Sequence, residues 1–223
     1  MTGTIAVDSM WEELWDKNQT GWQGTHPNEN LEKLFLDLVP SDQSTEGKTV
    51  FVPLCGKTLD MRWLYDKGFT VIGVEAVEKA VLEFFEEQKL EYKVEKVGAF
   101  DVYTSKNEKI KIFQGNLFDF SEDLVGKFDH FWDRGSLVAI DKNTREQYRE
   151  LFTSVMKPGS NGLLEVFEYD SKLNSDQPFP LFITDLKNVF LSSFELEELS
   201  RNNDFKGLPF GPTTVVAYKV SLK

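Results

Sequence analysis

The chain has 223 residues, of which 40% are hydrophobic and 13% aromatic, enough to bury the core of one α/β domain. The net charge of -12 argues against nucleic acid or an anionic membrane as a partner, because no basic cluster offsets it. Cys55 is the only cysteine, so no internal disulfide forms and a reducing compartment is expected. With no leader-type start and no apolar run of spanning length, we expect a soluble, cytoplasmic monomer.

The first 45 residues predict a helical cap. Trp11, Leu14 and Trp15 share one helical face, and the polar stretch "DKNQTGWQGTHPNEN", residues 16–30, is here called the cap loop. Apolar residues from Leu31 to Leu38 then recur at helical spacing, which predicts a second helix ended by a proline.

From Lys48 onward, strand and helix patterns alternate, which is typical of a mostly parallel sheet with helices on both faces. "TVFVPL" and "FTVIGVE" predict buried strands, a hairpin is expected between Lys93 and Gln114, and "KFDHFWDRG" predicts a further strand. We expect one α/β domain over residues 1–223, in which 1–45 form the helical cap.

The later part of the chain predicts the second half of this sheet. A helix beginning near Asn143 is expected to end at "KPGSNG", before the apolar strand "LLEVFEY". The closing strands "SFELEEL" and "TTVVAYKV" suit an antiparallel pair at the edge. The pattern therefore predicts a seven-stranded, mostly parallel Rossmann-like sheet whose last strand is antiparallel.

Two residues at neighbouring strand ends indicate a nucleoside-type ligand. In doubly wound sheets, ligands bind outside the carboxyl ends of the strands. Gly56 follows the first strand, and Glu75 ends the second about 20 residues later, the spacing at which a carboxylate reaches ribose hydroxyls. Singly, the glycine could be an ordinary turn and the acid a helix N-cap.

The glycine count distinguishes between nucleosides. A dinucleotide's pyrophosphate needs clustered glycines at a helix N-terminus, whereas "PLCGKTLD" supplies one. S-adenosylmethionine has no phosphate, and its sulfonium suits aromatic walls such as Trp11, Trp15 and Trp22. The same tryptophans are also explained by packing of an amphipathic helix.

Several segments are informative in combination, namely "VFVPLCGK", "VIGVE", "LFDF", "KFDHFWDRGSLVAI" and the W-x3-W-x6-W spacing of the three tryptophans. Together they resemble the thiopurine S-methyltransferase family. This resemblance, from about Trp11 to about Phe190, implies a class I methyltransferase fold, S-adenosylmethionine as cofactor and a small thiol, thiopurine-like or selenium acceptor.

The resemblance also implies site residues. Trp11 and Trp15 would enclose the methionine part of the cofactor, and Leu54 and Gly56 would pass beneath it. Glu75 would hold the ribose.

At the other parts of the site, the resemblance places Asn116 and Leu117 beside the adenine. Trp22 would lie beside the transferred methyl, and Arg134 at the wall shared by cofactor and acceptor. Gln23 stands where several family members have histidine, so we name no general base.

The chemistry of transfer leaves alternatives open. In-line displacement at a methyl group needs alignment and exclusion of water more than acid–base help. Arg134 is our candidate for holding anionic charge on the acceptor, with Asp133 as its orienting partner, although a purely structural ion pair would also explain Arg134. Halide or thiocyanate methylation, a nicotinamide-dependent oxidoreductase and a non-catalytic relative are the competing hypotheses.

His26 and His130 lack metal-ligand spacing, so no metal is expected.

Overall fold

The computed structural model describes residues 9–190, 193–209 and 211–223, and within them the strands form one nine-stranded sheet. The strands, in chain order, are β1 (Thr49–Pro53), β2 (Thr70–Glu75), β3 (Tyr92–Val97), β4 (Phe100–Ser105), β5 (Ile110–Gln114), β6 (Phe128–Arg134), β7 (Met156–Glu168), β8 (Phe194–Phe205) and β9 (Thr213–Leu222). Their order across the sheet is β3-β4-β5-β2-β1-β6-β7-β9-β8.

Helices flank the sheet on both faces. They are α1 (Ser9–Asp16), α2 (Glu29–Leu34), α3 (Leu59–Asp66), α4 (Glu78–Glu87), α5 (Glu122–Val125), α6 (Arg145–Val155) and α7 (Ile183–Phe190), with short 3₁₀ turns at Phe35–Leu38, Leu117–Asp119 and Leu137–Ala139. The apolar sides of α3 and α4 pack on one face of the sheet, and those of α6 and α7 pack on the other. Burial from both sides explains why β1 and β2 are apolar along nearly their whole length.

The centre of the sheet is parallel and reverses its order between β1 and β6. β5, β2, β1, β6 and β7 run in the same direction. Their carboxyl ends therefore lie along one edge, which is where ligands bind in such sheets. Pro53, Glu75, Gln114 and Arg134 end four of these strands at that edge.

The prediction of seven strands is wrong, because β3 and β4 extend the sheet beyond β5. The chain between Lys93 and Gln114 is part of a three-stranded antiparallel unit rather than one hairpin. β3 is almost entirely exposed, so it lacks the alternation that marks a half-buried strand. The antiparallel share is correspondingly larger than expected, since β4 as well as β9 runs against the parallel centre.

The region around α6 also differs from expectation. Thr144, rather than Asn143, precedes the helix, and "KPGSNG" belongs to β7 instead of forming a loop that ends α6. Pairing of β6 with β7 is irregular between Phe128 and His130, which accommodates the proline and the first glycine of the long strand. The α/β class and the helices on both faces agree with the sequence. Of the predicted cap over 1–45, residues 1–8 lie outside the described residues, and α1 and α2 lie within the rest. The assignment of 1–223 to a single domain stays a prediction.

Gly73 on β2 keeps space for the turn that follows β1. A Cβ placed on Gly73 would lie 2.6 Å from Sγ of Cys55 and 3.2 Å from Cε of Met61, both of which are buried. The thiol of Cys55 therefore fills the space that a larger residue at position 73 would need. Within the described residues, no helix has the length and apolar character of a membrane span.

Gly73→Ala is expected to lower the free energy of unfolding by about 1–3 kcal/mol, because the added methyl overpacks the site against Cys55. Urea denaturation measures this change. In the double variant Gly73→Ala/Cys55→Ala the thiol is gone, so the combined loss should be smaller than the sum of the single losses. Additive losses would contradict this packing argument.

Candidate active site

The turn after β1 has an unusual backbone. Leu54 and Gly56 have positive φ angles of 41° and 51°, and both precede the first turn of α3. The N–H of Cys55 donates to the carbonyl of Val74 on β2, with an N···O distance of 3.0 Å. Thr58 caps α3 by accepting a hydrogen bond from the N–H of Asp60. A left-handed leucine is costly, and such strain is typical of functional loops.

The carboxylate of Glu75 joins this turn to the start of α4. Its Oε2 accepts a hydrogen bond from the N–H of Gly56 at 2.7 Å, and its Oε1 accepts one from Val77 at 2.9 Å. The side chain is buried, and this burial raises the pKa of Glu75 against the opposing effect of the backbone N–H groups. Each carboxylate oxygen has a second lone pair that can accept a hydrogen bond. The two remaining acceptor positions equal the number of hydroxyl groups that a ribose would present.

Three tryptophans lie together beside Glu75. Trp22 contacts Trp11 and Trp15 edge-on, with ring centroids 5.1 and 6.1 Å apart. This cluster packs on Val77 and Ala80 at the start of α4. The interpretation of these residues as one aromatic wall is consistent with this placement. The alternative, that the tryptophans only pack the amphipathic helix, is also consistent with it, because Trp15 is buried.

The cap is tied to α4 by Lys79. Its Nζ donates to the backbone carbonyl of Trp15 at 2.8 Å and to Oδ1 of Asn18 at 2.9 Å. A cation at the C-terminal end of α1 interacts favourably with the carbonyl groups there. The contact therefore sets the position of α1 over the carboxyl end of β2.

Gln23 of the cap loop lies directly over Gly56. A Cβ placed on Gly56 would lie 2.5 Å from Nε2 of Gln23 and 3.4 Å from Cζ2 of Trp15. Glycine at this position thus allows the cap loop to approach the backbone of the β1 turn. The Gln23 side chain ends in a neutral amide, which carries hydrogen-bond donors and an acceptor but is not a base.

Asn116 and Leu117 lie at the end of β5, the neighbour of β2. Oδ1 of Asn116 accepts a hydrogen bond from the N–H of Phe118 at 3.1 Å and caps a 3₁₀ turn. Leu117 is buried against the α6 and α7 side of the core. The N–H of Gly115 donates to the carbonyl of Glu75, which keeps the two strand ends together.

Arg134 contacts the cap loop rather than Asp133. Its Nη1 donates to the carbonyl of Trp22 at 2.7 Å, and its Nε lies 3.8 Å from Oε1 of Glu165. Asp133 points to the opposite face of β6, where it accepts hydrogen bonds from the N–H of Ser136 and from the hydroxyl of Tyr148. Burial raises the pKa of Asp133 to about 6. The hypothesis that Asp133 orients Arg134 is therefore wrong.

The sequence analysis did not identify Glu165, which is buried on β7 beside Arg134. Its carboxylate accepts hydrogen bonds from Nδ2 of Asn28 at 3.0 and 3.1 Å and from Nδ2 of Asn30 at 2.7 Å. The N–H of Asn28 donates to Asp60, and the Asn28 side chain caps α2. One signal existed, because Glu165 is the single acid in the apolar run "LLEVF" near the carboxyl end of β7.

The residues with described positions contain no set of three or more His, Cys, Asp or Glu side chains that is arranged to hold a metal ion. Of the histidines, His26 is exposed on the cap loop, and His130 is buried with Nδ1 2.9 Å from Oδ1 of Asn161.

Comparison with known proteins identifies the family. The family model described as thiopurine S-methyltransferase matches residues 6–219. The chain belongs to the thiopurine S-methyltransferase family. It is 37% identical over 201 residues to a probable thiopurine S-methyltransferase of Danio rerio, covering 89% of this chain and 85% of the relative. It is 33% identical over 199 residues to the thiopurine S-methyltransferase of Bos taurus, covering 88% of this chain and 80% of the relative.

A solved structure agrees at the level of the fold. The 1,6-didemethyltoxoflavin-N1-methyltransferase of Burkholderia thailandensis, solved with S-adenosylhomocysteine, superposes with a TM-score of 0.67 and 11% sequence identity. The match covers 96% of this chain and 86% of that enzyme. The family resemblance read from the sequence is thus confirmed, and the fold is that of an α/β methyltransferase.

Glu75→Ala is expected to weaken binding of S-adenosylhomocysteine by about 1–3 kcal/mol, because charge-assisted hydrogen bonds to the ribose are lost. Isothermal titration calorimetry measures the dissociation constant. Glu86→Ala, which removes an exposed acid from α4, serves as the charge-matched control and should bind normally. A lowered melting temperature with an unchanged dissociation constant would mean that Glu75 only caps the backbone.

Proposed function

We propose that this protein is an S-adenosylmethionine-dependent S-methyltransferase acting on small sulfur or selenium acceptors, thiopurine-like heterocycles among them. The observation that carries the proposal is the buried Glu75 carboxylate, which holds the Gly56 turn beneath the tryptophan cluster at the carboxyl edge of the sheet. Family membership supports the same reaction. It gives no support to the nicotinamide-dependent alternative.

The role proposed for each cofactor-binding residue follows from its position at a strand end or in the cap. Glu75 binds the ribose hydroxyls through its remaining acceptor positions. Leu54 and Gly56 pass beneath the methionine part, and Trp11 and Trp15 enclose it from the cap. The aromatic faces suit a sulfonium because a cation is attracted to the negative face of a ring.

Further along the edge of the sheet, Asn116 and Leu117 flank the adenine, since they follow β5 directly beside β2. Trp22 lies next to the transferred methyl, and Arg134 lines the same wall through its hydrogen bond to the Trp22 carbonyl. These residues exclude water and align the acceptor rather than moving a proton. A bound S-adenosylmethionine supplies the activated methyl group.

Methyl transfer itself needs little acid–base help. A lone pair of the acceptor sulfur forms the new C–S bond as the methyl–sulfonium bond breaks, and that bonding pair remains on the departing thioether, S-adenosylhomocysteine. Holding the two sulfurs in line supplies most of the rate enhancement in such a reaction. No side chain of the site is therefore assigned as a base.

The setting of the enzyme is also part of the proposal. A single cysteine and a strongly acidic composition support a monomeric, one-domain protein of the cytoplasm with a small-molecule acceptor. Halide or thiocyanate methylation is the competing activity, since the same cofactor site would serve it.

An acceptor panel tests the function. The protein is incubated with S-adenosylmethionine carrying a radiolabelled methyl group and with an aromatic thiol, a heterocyclic thione, a selenol, iodide or thiocyanate. We expect labelled thioethers from the thiol and thione. Label transferred only to iodide or thiocyanate would establish the competing activity, and cofactor binding without any transfer would indicate a non-catalytic relative.

Trp22→Ala should lower kcat by at least about tenfold while changing the dissociation constant of S-adenosylhomocysteine little, because it removes the wall beside the reacting methyl. Steady-state kinetics and calorimetry separate the two effects. Trp22→Phe keeps an aromatic face and should retain most of the activity. Loss of cofactor affinity with normal kcat would instead place Trp22 in the cofactor wall.

A further inference from the structure

A charged cluster lies between the cap loop and the sheet. We call the side chains of Asn28, Asn30, Asp60, Arg134 and Glu165 the Glu165 cluster. It contains one guanidinium and two carboxyl groups, and Glu165 is only 5% exposed. Buried charges of this kind persist only when hydrogen bonds and ion partners compensate the loss of water.

Within this cluster, the positive charge of the Arg134 guanidinium has a carboxylate beside it. Nη1 donates a hydrogen bond to the Trp22 carbonyl, and Nε lies 3.8 Å from Oε1 of Glu165. The β6–β7 register places Arg134 directly opposite Glu165, so the two side chains share one face of the sheet. Asp60 faces the same cluster, where Asn28 and Trp132 donate to its carboxylate. Arg134 is thus not an isolated positive charge.

This pairing changes which acceptors the site favours. An unpaired arginine beside the reacting methyl would attract iodide, thiocyanate or a thiolate. A nearby carboxylate in a partly buried setting cancels much of that attraction, because charges interact strongly where water is excluded. An uncharged thiocarbonyl sulfur has a dipole but no net charge, so its binding depends much less on the net charge of Arg134 and Glu165.

Methylation of an uncharged thione is compatible with this field. The thione sulfur forms the new bond to the methyl carbon, the methyl–sulfonium bond breaks, and the positive charge moves from the cofactor to the heterocycle. The ring N–H then releases its proton to water, which leaves a neutral thioether and S-adenosylhomocysteine. Positive charge appears on the acceptor during the transfer, and a neighbouring carboxylate does not oppose it.

We propose that Glu165 is a specificity-determining residue that makes the acceptor site favour uncharged sulfur acceptors, heterocyclic thiones as a class, over free anions such as thiocyanate and iodide. The proposal rests on the function proposed above and narrows its substrate class. Glu165 acts through Arg134, whose charge it offsets, and it does not contact the transferred methyl.

A structural role for Glu165 predicts something different. Its hydrogen bonds to Asn28 and Asn30 anchor the cap loop. If anchoring were its only contribution, removal of the charge would weaken every acceptor and S-adenosylhomocysteine alike. A change in selectivity between a neutral and an anionic ligand separates the two roles.

Calorimetry on the protein saturated with S-adenosylhomocysteine tests the proposal, with sodium thiocyanate and neutral 2-thiopyridone as the probes. Glu165→Gln removes the charge and keeps one acceptor oxygen. We expect thiocyanate to bind about tenfold more tightly to this variant and 2-thiopyridone to stay within about twofold of wild type. Glu168→Gln is the matched control, because it removes an arginine-paired acid from the same strand, where the partner is Arg201.

Three results would overturn the proposal. They are unchanged thiocyanate affinity in Glu165→Gln, equal weakening of both probes, and a wild type that binds thiocyanate at least as tightly as 2-thiopyridone. The wild-type ratio needs no variant, so a preference for thiocyanate would overturn the proposal even if Glu165→Gln does not fold. Failure of the proposed function is a separate observation, namely cofactor binding with no methyl transfer to any acceptor of the panel.

Discussion

The buried carboxylate of Glu75 is the constraint on which the rest of the site depends. It accepts hydrogen bonds from backbone N–H groups of two elements at once, the turn after β1 and the start of α4. A buried carboxylate without such donors would destabilise the fold, so both hydrogen bonds are retained. Together they fix the distance between the turn and the helix. The tryptophan cluster packs on α4, so its position over Gly56 follows from the same two hydrogen bonds.

The cap loop is then attached at both of its ends. Lys79 binds its first part through Asn18, and Glu165 binds its last part through Asn28 and Asn30. Between these anchors, the Trp22 carbonyl accepts a hydrogen bond from Arg134 on the sheet. Each anchor pairs a polar group of the loop with a charged side chain, and the Trp22 ring adds an apolar contact with the tryptophan cluster.

Local patterns in the sequence were enough to predict the parallel core and the contact between two of its strand ends. β1 and β2 are apolar runs, and Gly56 and Glu75, which mark their carboxyl ends, are hydrogen-bonded to each other. β3 was missed because the alternation in "YKVEKV" covers only four residues before a second charged residue breaks it. The partner of Arg134 was misassigned because adjacent residues on a strand point to opposite faces, so Asp133 faces Tyr148 while Arg134 faces the cap.

The difference between the two ends of the site lies in the sequence separation of their contacts. Gly56 and Glu75, at the proposed cofactor end, are 19 residues apart, so a short motif contains both. At the proposed acceptor end, Asn28 and Glu165 are 137 residues apart, and Arg134 is 112 residues from Trp22. Those contacts depend on the register of β6 with β7 and on the position of the cap loop, neither of which a local pattern specifies. The charged contacts of the proposed acceptor end therefore become visible only in the folded chain, whereas those of the proposed cofactor end follow from a local motif.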